Sequence, residues 1–347
     1  MVERPKRVTI ADVAAAAGVA QGTVSHALRD KGRVDPRTRK RIKAIAADLG
    51  YRPSVRAQRL RGGSSHTIAL VTALPPSIVG EAARLDFFLE LALPIAHACI
   101  DHGYSLVLVP PVEDPDHLAT LDIDGAIVVD PLEHDSICTD LVQRGVRVVA
   151  VGDPGKGIVD GVVDRHDGGA SLVVQHLRSQ GARRIGALLS SERHTTARAV
   201  EMYLAGQPTG SADDVVTFTA PTAGGEDAGR RATLDALDRF PDLDAVYAPL
   251  DAFAVGAIRA LTERGRAVPD DVLVATNYDG RRAAASDPPI TALDLNLPGL
   301  AQSAVELLMD VLAGQPGGTM PAPDVRLRVR QSTQRTLPHA DPDRGLA

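Results

Sequence analysis

Long apolar runs are absent from this 347-residue sequence. No stretch approaches the roughly 20 consecutive apolar residues that a membrane-spanning helix requires. The opening segment MVERPKRVTI carries charges but lacks the apolar core of a signal peptide. These two absences argue against a membrane or exported protein and favour a cytoplasmic location.

Cysteine is scarce, and the residue patterns of metal sites and catalytic centres are missing. Cys99 and Cys138 lie in apolar surroundings without CxxC spacing, which predicts buried thiols rather than a disulfide or a metal site. The ten histidines form no HExxH pattern, and no serine sits in a nucleophile elbow. GDPGKG at 152–157 lacks the spacing and the final hydroxyl residue of a phosphate-binding loop, and GGED at 224–227 is better explained as a loop before a helix. We therefore expect no metal, no cofactor and no enzymatic activity.

Charge is distributed unevenly along the chain. Residues 1–61 contain 15 Lys and Arg against 5 Asp and Glu, a net charge of +10. The whole chain has 38 basic and 44 acidic residues, so residues 62–347 contain 23 and 39, a net charge of −16. A basic segment ahead of an acidic body is typical of a protein that binds a polyanion such as DNA. The length and the 44% of hydrophobic residues predict two or three soluble, packed units.

A helix that ends in a tight turn is predicted near the start of the chain. Thr9 is its N-cap, and Asp12 three residues later completes a capping box, in which each side chain bonds a backbone N–H of the other residue. The helix runs to Ala17, and Gly18 permits the chain to turn sharply. A second short helix follows at about residues 20–28.

A third helix completes the predicted head. Asp35 is its N-cap, Pro36 occupies the first helical position, where no backbone N–H is needed, and Gly50 ends it. Three short helices with a glycine turn between the first two are typical of a helix-turn-helix DNA-binding domain. Residues of the second helix that point away from the first include groups able to bond base edges. These residues are Gln21, Gly22, Ser25, His26 and Arg29.

The head is similar in sequence to that of the LacI/GalR repressor family. The segments VTIADVAAAAGVAQGTVSHAL and TRKRIKAIAADLGYRPSVRAQRLR carry the resemblance, which runs through residues 8–61. It implies that the segment after Pro53 is a hinge helix that folds on the operator and inserts a leucine into the minor groove at the centre of a palindrome. Leu60 corresponds to that leucine and Ala57 to the small residue beside it. The residues expected to contact DNA are Thr9, Gln21, Gly22, Thr23, Ser25, His26, Arg29, Arg56, Ala57, Arg59 and Leu60.

Two departures from the family pattern concern the reading of the DNA sequence. The family usually has arginine after the T-V-S of the recognition helix, where this chain has His26. Arginine holds guanine through two parallel hydrogen bonds, whereas histidine offers one or two weaker groups. His26 is therefore interpreted either as a base-reading residue with a different preference or as a solvent-facing side chain. Gly22 also lacks a side chain that relatives often use.

Apolar runs alternate with helical stretches from Thr67 onward. TIALVTAL, YSLVLVP, DGAIVVDP and VRVVAVGD form one series, and RRIGALL, DDVVTFT, AVYAPLD and DVLVATNYDG form a second. Continuous apolar strands separated by helices predict parallel sheets covered by helices on both faces. Two such series predict two lobes, with a ligand-binding cleft beyond the carboxyl ends of the strands.

The predicted fold is an all-α helix-turn-helix head with a hinge helix, followed by a two-lobed α/β body of doubly wound parallel sheets. The expected boundaries are 1–50 for the head, 51–62 for the hinge, 63–331 for the body and 332–347 for a tail. Within the body, the first lobe comprises about 63–164 and 294–322, and the second about 165–293 and 323–331.

The body resembles the same family less strictly, over about residues 66–331. Its landmarks include DGAIVVDP, HLRSQGARRIGALL, NYDG and VRQST. The resemblance implies a fold like that of periplasmic sugar-binding proteins, with an effector bound in the cleft. Carboxylates and arginine are the usual groups for holding sugar hydroxyls in fixed directions. The expected effector-binding residues are Glu133, Arg165, Arg198, Asp251 and Asp279.

Several cleft positions depart from the family pattern, so the resemblance does not identify a particular sugar. Leu250-Asp251 stands where relatives often have Asn-Asp, and Arg165-His166 stands where they have Asp-Asn. One interpretation is an anionic effector that Arg165 and Arg198 meet, and the other is that each arginine forms only surface ion pairs. Asp251 is interpreted either as an effector contact or as a helix cap.

These patterns predict a sequence-specific transcriptional regulator, expected to be a repressor whose operator affinity is altered by a small polar effector, a sugar or another polar metabolite. The expected partners are a double-stranded, imperfectly palindromic operator and a second copy of the chain, with a tetramer as a further assembly. An activator and a regulator without a small-molecule effector stay open as alternatives. A transport-associated binding protein would lack the basic head, and an α/β enzyme fused to a DNA-binding domain would need the missing catalytic groups.

Overall fold

The chain divides into two compact units, residues 1–65 and 66–347. Among the helices that can be described, none combines the length and the apolarity needed to cross a lipid bilayer. The computed structural model describes residues 8–28, 34–51, 64–72, 82–109, 115–165, 168–206 and 215–335.

The first unit begins with the predicted capping box. The Thr9 hydroxyl accepts a hydrogen bond from the Asp12 N–H at 3.4 Å, and the Asp12 carboxylate accepts one from the Thr9 N–H at 2.7 Å. Gly18 ends the first helix with φ of +64°, in the left-handed region that glycine adopts readily. Asp35 caps the third helix by accepting from the N–H groups of Arg37 and Thr38. The described helices of this unit are Ile10–Ala17 (α1), Gln21–Leu28 (α2) and Pro36–Asp48 (α3).

A small apolar core holds the three helices together. Val13 of α1, Val24 of α2 and Ile42 of α3 are fully buried. The Arg41 guanidinium also donates to the Ala17 carbonyl at 3.0 Å, which satisfies one of the carbonyl groups left without a partner at the end of α1. The helix-turn-helix arrangement predicted from the sequence is confirmed.

The second unit contains two six-stranded sheets. The first has the strand order β11-β5-β4-β3-β1-β2, and each strand in it runs parallel to its neighbours. Its strands β1, β3 and β4 are almost entirely buried, as expected for parallel strands with helices on both faces. The strands are Thr67–Thr72 (β1), Ser105–Val109 (β2), Gly125–Val129 (β3), Arg147–Val151 (β4), Gly161–Asp164 (β5) and Thr319–Pro321 (β11).

The second sheet has the strand order β12-β10-β9-β8-β6-β7. Among the strands that the structure describes in this sheet, β12 pairs antiparallel with β10 and the other neighbours pair in parallel. The strands are Ile185–Ser190 (β6), Val215–Ala220 (β7), Ala245–Tyr247 (β8), Leu273–Thr276 (β9), Thr291–Asp294 (β10) and Arg326–Arg328 (β12).

Helices cover both sheets. On the second sheet, α8 and α9 approach so closely at Gly256 that an added Cβ would lie 2.2 Å from the Glu226 carbonyl oxygen. The helices of this unit are Ala82–Asp101 (α4), Ser136–Gln143 (α5), Gly168–Ser179 (α6), Thr195–Ala205 (α7), Gly225–Arg239 (α8), Asp251–Glu263 (α9), Arg281–Ala285 (α10) and Leu297–Leu312 (α11). Short 3₁₀ helices occur at Pro115–Thr120, Thr222–Gly224 and Gln331–Thr333.

The chain crosses between the two sheets three times. It leaves the first sheet after β5, returns after β10 to form α11, which packs against the first sheet, and crosses again between β11 and β12. Each sheet with its helices therefore forms a lobe that is built from separate stretches of sequence. The predicted two-lobed body of doubly wound, largely parallel sheets is confirmed.

Candidate functional site

Helix α2 of the first unit has one buried and one exposed face. Val24 and Ala27 are buried against the other helices, whereas Gln21, Gly22 and His26 are exposed. Thr23 and Ser25 are partly exposed, and Thr9 is exposed at the start of α1. The fold thus brings the predicted base-reading residues of α2 to its outer side. The remaining predicted DNA contacts, Arg29, Arg56, Ala57, Arg59 and Leu60, lie outside the described residues.

The first unit also exposes basic side chains on α3. Arg37, Lys40 and Lys43 of α3 are exposed. A positive surface attracts the phosphate backbone regardless of base sequence, while the polar groups of α2 are of the kind that bond base edges. The described part of this unit therefore contains both basic side chains for the phosphates and polar side chains for the base edges.

A cavity of about 70 Å³ lies between the two lobes of the second unit, at the carboxyl ends of several parallel strands. Asp130 follows β3, Arg165 follows β5, and Asn277 follows β9. Because parallel strands end at the same edge of a sheet, residues distant in sequence meet here. The lining consists of Phe87, Asp130, Arg165, Leu189, Ser190, Thr196, Ala197, Pro249, Leu250, Asp251, Asn277, Tyr278 and Leu295.

Arg165 lies among aromatic side chains of the cavity. Its guanidinium carbon is 5.3 Å from the centre of the Phe87 ring, within the range of a cation–π contact. Phe87 in turn packs edge-to-face against Tyr278, with ring centres 5.3 Å apart. Burial lowers the pKa of Arg165, and the nearby charge of Asp130 opposes this shift. Arg165 also borders a larger cavity of about 710 Å³ beside the segments that connect the lobes.

Direct contacts join the two lobes at one edge of the cavity. Asp130 has a φ of +51°, and its carboxylate accepts hydrogen bonds from the Thr196 N–H at 3.4 Å and hydroxyl at 3.3 Å. The Pro131 carbonyl accepts from the Thr195 N–H at 3.2 Å and hydroxyl at 3.1 Å, and Leu132 forms a β-bridge with His194. We call the contact of residues 130–132 with residues 194–196 the interlobe latch. We use the term closed for the arrangement of the lobes in which these bonds are made.

Asp251 and Asn277 are both held by neighbouring groups. Asp251 begins α9 and is only 2% exposed. Its carboxylate accepts from the Ala252 N–H at 2.8 Å and lies 3.8 Å from Nε of Arg282. The side-chain carbonyl of Asn277 accepts from the Tyr247 hydroxyl at 2.5 Å, and burial raises the pKa of that hydroxyl.

Three residues predicted to bind the effector lie outside the lining of this cavity. Glu133 is 44% exposed, with an oxygen 3.7 Å from Nε of Arg193. Arg198 donates to the Asp153 carbonyl at 2.7 Å, which adds a further contact between the lobes. Asp279 forms ion pairs with Arg328, at 2.7 Å, and with Arg330. Of the five predicted residues, the cavity therefore brings together Arg165 and Asp251.

Several polar or aromatic residues of the lining were not among the residues predicted from the sequence. Asp130 and Asn277 directly follow apolar strands, and that position alone was a usable signal. Phe87 and Tyr278 gave no comparable signal, because an aromatic residue in an α/β sequence is usually part of the core. Cys99 and Cys138 are buried thiols, as predicted, and are remote from the lining.

Comparison with known proteins connects both units to regulators. The model of bacterial regulatory proteins of the lacI family matches residues 9–54, and that of the periplasmic binding protein-like domain matches residues 174–333. The HTH-type transcriptional regulator MalR of Streptomyces coelicolor is 32% identical over 333 residues, which cover 88% of this chain and 91% of that protein.

Two solved structures are similar along most of the chain. A structure described as the transcriptional regulator CelR-cellobiose complex has a TM-score of 0.65 and 26% identity, covering 94% of this chain and 100% of that one. A Lac repressor dimer bound to operator and the anti-inducer ONPF has a TM-score of 0.69 and 25% identity, covering 94% and 99%. The similarity thus extends over the head and both lobes.

Proposed function

Since this chain belongs to the LacI family of bacterial regulatory proteins, we propose that it is a repressor that binds a palindromic operator as a homodimer and responds to a small molecule held between its lobes. It is a DNA-binding transcriptional regulator and not an enzyme. The observation that carries the proposal is the joint presence of a helix-turn-helix head and an interlobe cavity that contains charged groups.

In the proposed complex, α2 lies in the major groove and reads bases through Gln21, Ser25 and His26. Gly22 allows close approach of the backbone, and Thr9 and Thr23 contact the phosphates. The resemblance supports a hinge in which Leu60 enters the minor groove beside Ala57 while Arg56 and Arg59 hold phosphates on either side of it, and Arg29 is proposed as a further DNA contact. One head offers few base contacts, so a two-fold dimer on a two-fold site supplies the affinity.

An apolar stripe on the first lobe supports the homodimer. Leu89, Leu93 and Ile100 of α4 are 48%, 63% and 64% exposed. Their spacing of four and seven residues places them on one side of the helix. Leu108, on the edge strand β2 against which α4 packs, is 45% exposed. Exposed apolar side chains gathered on one surface are typical of a protein–protein contact, and a second copy of the chain is the partner we propose.

The effector is proposed to stabilise one arrangement of the lobes. A ligand changes operator affinity only if it binds the open and closed states unequally, and coupling of this kind typically amounts to about 1–3 kcal/mol. The relatives support a small polar molecule, since the CelR structure contains cellobiose. Arg165 and Asp251 are proposed to contact the effector, and Glu133, Arg198 and Asp279 to act at the margin of the cleft, where they pair with other residues. We propose the cytoplasm as the place of action.

The test is an operator-binding titration of the full-length protein. DNA fragments from beside its own gene are titrated by fluorescence anisotropy, and the bound site is mapped by footprinting. We expect a protected palindrome whose affinity changes about 5- to 150-fold when the effector is added. A repressor blocks transcription from that promoter in a purified system, whereas increased transcription would identify an activator. Specific binding that no sugar, sugar phosphate, nucleoside or organic acid alters would contradict the effector part of the proposal.

A further inference from the structure

Arg165 is the charged side chain of the cavity that lacks a directly bonded counterion. Among the residues that the structure describes, no hydrogen bond or ion pair is formed by its guanidinium, which contacts the face of Phe87. Burial disfavours its charged form, as the lowered pKa indicates. Arg165 is partly buried, and removing a cation from water is costly unless an anion or several acceptors surround it, so this guanidinium can accommodate an anion.

The two carboxylates in the lining are already engaged. Asp130 accepts both the N–H and the hydroxyl of Thr196, and Asp251 lies beside Arg282 and accepts the Ala252 N–H. These hydrogen bonds come from neutral groups and fix the direction of each carboxylate, and the Arg282 guanidinium lies 3.8 Å from Asp251. The charge of Asp130 lies near Arg165, but among the described residues no direct bond joins the two, so the N–H groups of the guanidinium remain available to an anionic ligand.

The walls of the cavity are mainly apolar. Leu189, Pro249, Leu250 and Leu295 line it together with the perpendicular rings of Phe87 and Tyr278. A sugar presents hydroxyl groups in several directions and needs a polar partner for each, because an unpaired buried hydroxyl is unfavourable.

Two of the polar side chains that remain in the lining, Ser190 and Asn277, are each engaged through one group. The Ser190 hydroxyl donates to the Glu192 carbonyl at 2.5 Å, and the Asn277 side-chain carbonyl accepts from Tyr247. The cavity of about 70 Å³ is small beside the roughly 300–1,000 Å³ of pockets for larger ligands, while Arg165, Thr196, Asn277 and Leu295 also border the cavity of about 710 Å³. The closed cavity therefore suits a compact ligand with few hydroxyl groups.

We infer that the effector is a compact carboxylate with a flat apolar body, whose carboxylate pairs with the Arg165 guanidinium while its body lies among Phe87, Leu250 and Tyr278. This inference rests on the proposed function, because it specifies the effector of the same interlobe site. Such a ligand gives Arg165 a bidentate hydrogen-bonding partner and places its apolar body against the apolar walls of the cavity.

Benzoate and its neutral isostere benzamide test the inference directly. Binding to the full-length protein is measured by calorimetric titration, with phenylacetate and phenylacetamide as a second pair. We expect each acid to bind about tenfold or more tightly than its amide. Arg165→Gln should remove this preference, and Arg165→Lys should retain part of it. Arg264→Gln is the matched control, because this exposed arginine pairs with Asp238 away from the cavity.

The outcomes distinguish failure of the carboxylate effector from failure of the proposed sensor function. Equal binding of acids and amides, unchanged acid binding by a folded Arg165→Gln variant, or failure of both acids to bind would overturn the inference. Neutral sugars such as cellobiose are titrated in parallel. If a sugar binds and changes operator affinity, the inference fails while the proposed function stands. If acids, amides and sugars all fail to bind or to alter operator affinity, the sensor function itself fails.

Discussion

At the scale of single residues, Gln21 and His26 are exposed on α2 while Val24 on its other face is buried. Replacing an exposed polar side chain therefore leaves the core of the head intact. We expect Gln21→Ala and His26→Ala to change which operator variant binds most tightly, by about 1–3 kcal/mol at the affected base pair. Competition binding against a set of single-base operator variants measures this change.

The control for base reading is a residue expected to contact phosphate. Arg59→Ala should weaken binding to specific and to random DNA to similar degrees. It should also reduce the slope of log affinity against log salt concentration. If His26→Ala preserves the order of preference among all operator variants, His26 is a solvent-facing side chain that does not contribute to recognition of the base sequence.

Single residues also show how far sequence reasoning reaches into the cavity. Arg165 was predicted from a departure at the end of a strand, and the structure places it in the lining. Asp279, selected because NYDG matches a landmark of the family, instead lies between Arg328 and Arg330. Both arginines come from a stretch about fifty residues farther along the chain, so no local pattern could indicate this pairing.

At the scale of secondary-structure elements, the latch between the lobes offers a direct test of closure. The Thr195 hydroxyl donates to the Pro131 carbonyl at 3.1 Å, and Thr195 is 5% exposed. Thr195→Val keeps the shape of the side chain but removes this bond, so we expect the closed arrangement to lose about 1 kcal/mol relative to the open one. Small-angle X-ray scattering should then give a larger radius of gyration without effector.

Thr262 provides the matched control for the latch. Its hydroxyl donates to the Ile258 carbonyl within α9 at 3.0 Å, so Thr262→Val removes a similar bond inside one lobe. Its scattering curve should match that of the unaltered protein. Identical curves for both variants would mean that the Thr195 bond does not govern closure.

A second element, the short helix Gln331–Thr333, is anchored through His176 of α6. Nε2 of His176 lies 2.8 Å from the Thr333 hydroxyl, which also bonds the Thr291 hydroxyl. Burial lowers the pKa of His176 from its ordinary value of 6.5, so the folded state binds a proton less readily than the unfolded chain does. This contribution to stability is fully present above about pH 6.5 and is lost as the pH falls below that value.

We expect His176→Gln to reduce the loss of stability between pH 7.5 and about pH 5, measured as the midpoint of urea unfolding. His102→Gln, at an exposed histidine just after the end of α4, is the control and should leave the pH dependence unchanged. The same pH dependence in all three proteins would show that other groups cause it.

Some secondary-structure elements could be predicted from the sequence, and others could not. The long buried strands and the capped helices were predictable, since apolar runs and N-caps are local signals. Strands β5, β11 and β12 have only three or four residues, and their sequences are too short to form an apolar run that indicates a strand. They pair because distant stretches of chain bring them to the edges of the sheets, so their existence depends on the completed fold.

At the scale of the whole molecule, the apolar stripe on α4 predicts how the protein assembles. Leu93→Glu places a charge at the most exposed leucine of the stripe, where burial in a dimer would be costly. We expect the sedimentation coefficient at micromolar concentration to fall from that of a dimer to that of a monomer, with a large loss of affinity for the full palindrome. Far-ultraviolet circular dichroism should remain unchanged.

Met202→Glu is the control for assembly. Met202 is 61% exposed on α7 in the other lobe, away from the stripe. This variant should remain a dimer. A Leu93→Glu variant that also stays dimeric would move the interface to a different surface.

The threefold passage of the chain between the lobes has a consequence during synthesis on the ribosome. The first lobe lacks α11 and its edge strand β11 until residues 297–321 have emerged, by which time nearly all of the second lobe has been made. Neither lobe can be completed alone, whereas the helices of the head draw their buried core from residues 13–46. A message cut short before that point therefore yields a head attached to an unfinished body, in which the cavity between the lobes cannot form and an effector has nowhere to bind.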